Sequence, residues 1–285
     1  MAKDMTANNK SQKFLGQVAF ICGGSKGIGK ETAKEFFRLG GSVCLLARDQ
    51  KYLDMAIIEV ENLRSNQDQF VETISGDATK REEIEPAIDK FMSRHGVPEY
   101  LINAVGYAYP EYIQNFNLDD FKENMEINYF GQLVPTLVFL PHFIEQKRGH
   151  ISFVSSMMGY MGIIGYATYA PTKFALVGLA EVLRHELHSY NISISILYPP
   201  DTETPGFKRE NETKPPETAI LSSTAKLFKP DKVAKQYLRG ISKGKFYIMF
   251  GEGIWIWRLF RLFPWLVHSF IDNDLRKARK KLRQN

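Results

Sequence analysis

Gln17-Val18-Ala19-Phe20-Ile21-Cys22 runs straight into Gly23-Gly24-Ser25-Lys26-Gly27-Ile28-Gly29, and a helix-forming stretch over residues 30–39 follows. The first six residues are apolar and partly β-branched over the length of a strand. Strand, glycine turn and helix in that order let bare backbone approach a pyrophosphate and aim a helix N-terminus at its charge. The spacing is Gly-x-x-x-Gly-x-Gly, and a glycine-rich turn by itself also reads as an ordinary tight connection. Its seat between a strand and a helix favours the dinucleotide reading.

Working outward, strands are expected over residues 17–22, 42–47, 70–75, 100–103, 150–155, 193–198 and 246–249, with helices filling the gaps. Apolar strands alternating with amphipathic helices imply an α/β fold, a Rossmann-type doubly wound parallel sheet with helices on both faces. The 285 residues can bury one large core, and no repeat or long linker argues for a second domain. The expected division is a polar N-terminal tail over residues 1–15, a dinucleotide-binding domain over 16–250 and an apolar, then basic, extension over 251–285. An open parallel sheet binds its ligand at the carboxyl ends of its strands, where Gly23, Arg48, Asp77, Asn103 and Ser156 all fall.

The second strand ends in Ala47-Arg48, where an enzyme for the unphosphorylated dinucleotide is expected to carry an acid for the ribose hydroxyls. Arg48 instead offers a planar cationic fork for a phosphate, and Lys26 in the glycine turn offers a second positive charge. The pair predicts NADPH over NADH; the alternative is two solvated surface cations.

Tyr169 and Lys173 stand four residues apart, so a helix brings phenol and ammonium to one face, and Ser156 stands thirteen residues before the tyrosine. A nearby cation favours the phenolate and is expected to make the phenol a better acid, with the serine hydroxyl polarising a carbonyl. An isolated Tyr-x-x-x-Lys also arises by chance on a helix surface. The cofactor turn supplies the context that raises it.

These motifs, in this order, resemble those of the short-chain dehydrogenase/reductase family over about residues 16–206. The family's glycine motif maps onto Gly23, Gly27 and Gly29, with Cys22 where a threonine is usual. Its adenine-binding aspartate maps onto Asp77, and its Asn-Asn-Ala-Gly segment onto Asn103-Ala104-Val105-Gly106, which lacks the second asparagine. The resemblance implies a catalytic tetrad of Asn128, Ser156, Tyr169 and Lys173, with Asn128 orienting a water chain that returns a proton through Lys173. It implies cofactor contacts from Ser25, Lys26, Ile28, Gly106, Pro199, Thr202 and Thr204 as well, and from Tyr169 and Lys173 themselves. The run Pro199-Pro200-Asp201-Thr202-Glu203-Thr204-Pro205-Gly206-Phe207 is similar to the sphingolipid branch of the family. That likeness implies NADPH-dependent reduction of the 3-keto group of a long-chain sphingoid base. Reduction of another lipid or a steroid ketone, and a nonenzymatic NADPH-binding scaffold or sensor, are the alternatives.

Around this site, residues 157–165 form a loop of methionine, isoleucine and glycine that suits an acyl chain or simply packs beneath a lid. The lid itself is expected over residues 201–227 and reads as irregular. Residues 253–271 hold all three tryptophans together with Arg258, Arg261 and Pro264, and a basic stretch follows over 276–283. Such a segment is a poor membrane span but suits a helix lying among lipid headgroups, with the basic end drawn to anionic lipid. The competing readings are a dimer interface or an apolar cover on the substrate tunnel. A homodimer or a homotetramer is left open.

The remaining features narrow the setting. Cys22 and Cys44, the only cysteines, fall on inner strands and read as buried thiols of a reducing compartment. His185 and His188 read as plain helix surface, so no metal is expected. Residues 1–13 are polar, without the apolar core of a signal peptide. The net charge of +5 is modest and gathers partly at the tail, which fits lipid or cofactor phosphate better than nucleic acid. The expected location is a membrane surface facing the cytoplasm, the cytosolic face of the endoplasmic reticulum in a eukaryote, with the cytoplasm as the alternative.

Overall fold

Inner strands buried on both faces need apolar side chains at every position, and that is what the continuous runs supply. In the computed structural model, which describes residues 13–223 and 225–284, seven strands form one parallel sheet, some continuous apolar runs and others, such as Val71–Ser75, interrupted by polar residues. They are β1 (Val18–Cys22), β2 (Ser42–Ala47), β3 (Val71–Ser75), β4 (Tyr100–Asn103), β5 (Gly149–Val154), β6 (Ile192–Leu197) and β7 (Tyr247–Ile248). All seven strands expected from the sequence are present. Their order is β3-β2-β1-β4-β5-β6-β7, so the direction of winding reverses between β1 and β4. There Cys22 pairs with both Leu46 and Asn103, which leaves the exits of β1, β2 and β4 side by side.

Alternation sends Phe20, Cys22, Cys44 and Leu46 to one face and Ala19, Ile21, Val43 and Leu45 to the other. The first face is covered by α3 (Arg81–His95), α5 (Gly131–Gln146) and α6 (Tyr169–Glu186), the second by α1 (Gly27–Arg38), α2 (Gln50–Glu61) and α9 (Pro230–Ile241). This is a Rossmann-type doubly wound α/β domain. Cys22 and Cys44 are free and buried, and burial pushes both thiols up, so neither is poised as a nucleophile. The polar stretch read over residues 1–15 lies outside the described residues as far as residue 12. Phe14 is buried, stacked on Phe36 with ring centroids 4.3 Å apart.

The segment expected to be an irregular lid is instead largely helical, as α7 (Pro205–Thr213) and α8 (Pro216–Ser222), with Thr224 outside the described residues. Its prolines act as helix starts, because a proline in the first turn gives up only an amide that has no helical partner. Thr204 caps α7 by accepting the Phe207 amide at 3.1 Å. Between β4 and α5 lie α4 (Leu118–Met125) and a π-helical turn, Glu126–Phe130. The chain closes with α10 (Gly251–Leu262) and α11 (Pro264–Leu282), and α11 lies against α8, with Arg279 3.5 Å from Glu217. Among the described residues, no helix is long and apolar enough to cross a membrane.

Candidate active site

The glycine turn fits because there is no room for anything else. A Cβ on Gly29 would sit 2.3 Å from the Gly23 carbonyl oxygen, and one on Gly23 would sit 2.8 Å from the Ala104 backbone. The first turn of α1 has no side-chain cap, so its amides face an open cleft of about 890 Å³. Uncapped amides on bare backbone are the donor set a pyrophosphate requires, and the site fits a dinucleotide on that ground. Ser25, Lys26, Gly27 and Ile28 line the same cleft.

From the glycine turn the cleft passes Arg48 and Asp77. Arg48 is exposed and makes no ion pair among the described residues, while the Lys26 ammonium sits 2.9 Å from the centre of the Tyr52 ring. Asp77 accepts the Thr79 amide at 3.0 Å, which fixes its carboxylate at the exit of β3. On the opposite wall Gly106, Pro199, Thr202 and Thr204 complete the expected cofactor set. Asn103 stands apart from it. The pleat turns its side chain into the core, where its amide donates to the Thr136 hydroxyl at 3.0 Å and its oxygen has no partner.

Ser156, Tyr169 and Lys173 meet beyond the β5 exit. The Ser156 hydroxyl accepts the Met158 amide at 3.2 Å and is close enough to the phenol to favour its ionised form. Lys173 is buried, donates to the Val154 carbonyl at 3.0 Å, and lies 5.4 Å from the centre of the Tyr169 ring. Burial lowers this lysine to about 7. Burial likewise pushes the Tyr169 phenol up, and the Glu210 and Asp201 carboxylates add to that push. The expected lowering of the phenol by Lys173 is therefore not delivered in this structure. An amine that has lost much of its own charge exerts little field, and desolvation of the phenolate outweighs it.

Asn128 lies in the π-helical turn, a distortion that often marks functional segments. Its oxygen accepts the Tyr107 amide at 2.8 Å, and its amide donates to the Tyr107 carbonyl at 3.0 Å and to Asn124 at 3.1 Å. A Cβ on Gly106 would meet this Asn128 oxygen at 2.8 Å and the Lys173 ammonium at 3.1 Å, so a bare residue joins the two.

Several participants escape a reading of the sequence. One turn beyond Asn128, Gln132 bridges strand exits by donating to Val105 and Val154 carbonyls at 2.8 and 3.0 Å. Above Tyr169, the Tyr166 hydroxyl donates to Glu210 at 2.5 Å, and Glu210 pairs with buried Lys214 at 3.0 Å. The only local signal for that group is the step of four from Glu210 to Lys214. Met157, Met158, Met161, Ile163, Phe207 and Leu221 line the outer cleft, and Ile271 brings α11 into it.

The profile of the family described as short chain dehydrogenase matches residues 17–215, the span that carries the turn, the tetrad and the β6 exit. The chain belongs to the short-chain dehydrogenase/reductase family. It is accordingly a nicotinamide dinucleotide-dependent oxidoreductase acting on CH–OH or C=O groups. This short-chain dehydrogenase/reductase is 40% identical over 243 residues to the 3-dehydrosphinganine reductase of Danio rerio, covering 85% of this chain and 73% of that one. It is 37% identical over 238 residues to the 3-ketodihydrosphingosine reductase of Bos taurus, covering 83% of this chain and 72% of the other. Among solved structures, a short-chain dehydrogenase from Mycobacterium paratuberculosis bound to NAD has the same fold, with a TM-score of 0.72 at 21% identity over 83% of this chain and 97% of that chain. The apo form of LigD from Sphingobium sp. strain SYK-6 shares it too, with a TM-score of 0.70 at 24% identity over 95% of this chain and 98% of that one.

Proposed function

We propose that this reductase converts the 3-keto group of 3-ketodihydrosphingosine to the alcohol of dihydrosphingosine, using NADPH. The observation that carries this reading is the Pro199–Phe207 run. It joins a sequence similar to the sphingolipid branch with a position on the cleft wall above Tyr169. The two relatives of that activity, and an outer cleft built of methionine and isoleucine that accommodates an alkyl chain, support it. NADPH is favoured over NADH because the residue directly after β2 is Arg48 and not an acid, and Arg48 makes no ion pair among the described residues.

When bound, NADPH supplies the hydride. The Ser156 hydroxyl donates a hydrogen bond to the ketone oxygen and holds it against the Tyr169 phenol. As charge develops on that oxygen, Tyr169 gives it the phenolic proton, so the carbonyl becomes an alcohol. A phenol held protonated by burial suits this role, because it releases its proton only to a strong base such as a forming alkoxide. Lys173, with its ammonium near neutrality, returns a proton to the phenolate, and Asn128 anchors the path by which Lys173 is reprotonated.

We also infer that the protein rests on a membrane surface through α10 and α11. Trp255, Leu262, Trp265 and Phe270 expose 68%, 70%, 68% and 58% of their surface on these helices, a pattern suited to headgroup insertion.

The deciding assay follows NADPH and NADH oxidation with 3-ketodihydrosphingosine, a steroid ketone and a short-chain ketone, in wild type and Tyr169→Phe. The expected result is NADPH-dependent reduction of the sphingoid ketone, reduced by about 10²-fold or more in Tyr169→Phe with NADPH binding retained. Preference for either other ketone, equal use of NADH, or a fully active Tyr169→Phe would overturn the corresponding part of the proposal.

A further inference from the structure

The first charged side chain after β6 is Asp201, set behind Pro199 and Pro200. Its backbone is pinned, since the Asp201 carbonyl accepts the Phe228 amide at 2.8 Å and the Glu203 amide donates back to Phe228 at 2.9 Å. Its carboxylate lines the cleft, is half-buried, and makes no hydrogen bond or ion pair among the described residues. The neighbouring Glu210 is served differently. It takes the Tyr166 hydroxyl and the Lys214 ammonium, so the lysine that acts on Asp201 is already paired with another acid.

A half-buried carboxylate without a donor is only partly compensated, and burial pushes the Asp201 carboxyl up, opposed by Lys214 and reinforced by Glu210. The same carboxylate acts on Tyr166 and on Tyr169. The unpaired carboxylate and the phenol proposed to face the ketone oxygen therefore line one cleft. In 3-ketodihydrosphingosine an amino group stands on the carbon next to the ketone. Whatever binds that ammonium must lie close to the group that protonates the carbonyl.

We propose that Asp201 is a specificity-determining residue that pairs with the ammonium of an α-amino ketone, with Tyr166, Glu210 and Lys214 as the braced wall behind it. This rests on the reading of the protein as a long-chain ketone reductase and narrows its substrate class. The pairing has a second effect at the reacting atoms. An ammonium on Asp201 cancels a field that holds the Tyr169 proton in place, so the amino ketone eases its own protonation, whereas a ketone without the amine leaves that field intact.

The test compares kcat and KM for two ketones of equal chain length, 3-ketodihydrosphingosine and its analogue with hydrogen in place of the amine. They are measured in wild type and in the isosteric Asp201→Asn, with NADPH titration to verify that the variant is folded. Wild type should favour the amino ketone in kcat/KM by about tenfold or more, the size of one charge-assisted contact. In Asp201→Asn the ratio should fall toward one. A wild-type ratio near one, with both ketones reduced, would overturn the proposal and leave the ketone reductase reading standing. A large ratio that persists in Asp201→Asn would place amine recognition elsewhere and remove Asp201 from it. Reduction of neither ketone would refute the underlying reading and this inference with it. If the variant does not fold, the wild-type ratio together with competitive inhibition by a long-chain amine, set against the matching alcohol, decides the point. Equal inhibition by the two would overturn the proposal.

Discussion

Among the described residues, Lys173 donates one hydrogen bond, to a carbonyl, and meets no carboxylate, so burial acts on its ammonium without a counter-charge. Unfolded, this lysine titrates near its ordinary 10.5; folded, at about 7. As pH falls from 10.5 toward 7 the unfolded chain takes up a proton that the folded chain refuses, and stability is lost across that window. Lys173→Met should therefore stabilise the cofactor-free protein at pH 7 by on the order of a few kcal/mol and so raise its melting temperature. The gain should shrink toward pH 10, while ketone reduction is lost. Thermal melts at the two pH values check it, and an unchanged or lowered melting temperature at pH 7 would contradict the account. At this scale the sequence is informative about identity and silent about environment. The spacing of Ser156, Tyr169 and Lys173 is legible because one helix and one strand exit fix it. Their proton affinities are not, because burial is set by α6, β5 and the lid together.

At the scale of elements, β5, β6 and α9 share a buried polar seam. His150 bonds Ser195 at 2.8 Å, Ser195 bonds Ser152 at 2.6 Å, and Ser152 bonds the Tyr237 hydroxyl at 2.6 Å. Burial lowers His150 from 6.5 to about 4, so it is folded as the neutral imidazole. Its contribution to stability is complete above pH 6.5 and is lost as pH falls from 6.5 through 4, where the unfolded histidine is protonated first. Urea unfolding at pH 7 and pH 4.5 should show a smaller acid loss in His150→Gln than in wild type, by up to about 3 kcal/mol. Identical losses would rule out His150 as the source. The central strand β1 is plain in the sequence because two-sided burial writes it as an unbroken apolar run, and β6 because its isoleucines alternate with serines. The lid is opaque because α7 and α8 are short, polar and opened by prolines, which also mark loops; packing and the Thr204 cap decide for helix. Gln132 is similarly hidden, since its three partners come from β4 and β5 exits distant in the chain.

Across the whole molecule, the sheet gathers the residues proposed to bind cofactor and move protons along the carboxyl ends of its strands, and the final helices set exposed apolar side chains nearby. Trp255, Leu259 and Leu262 lie four and three residues apart on one face of α10, with Arg258 stacked 5.2 Å from the Trp255 ring. Substituting Trp255 and Trp265 by serine should release the protein from anionic vesicles in flotation, with the melting temperature held within a few degrees because both side chains are exposed. Unaltered flotation would move the contact to another surface. The aromatic and basic composition on which the membrane proposal rests is legible in the sequence. The return of α11 onto α8 is not, since contact between helices so far apart in the chain follows from where the sheet leaves them. That return has an evolutionary consequence. The outer wall of the cleft is partly built by a helix that contributes no strand to the sheet, so drift in the last thirty or so residues can resize the cleft for a different ketone while the nucleotide edge and the core are inherited unchanged.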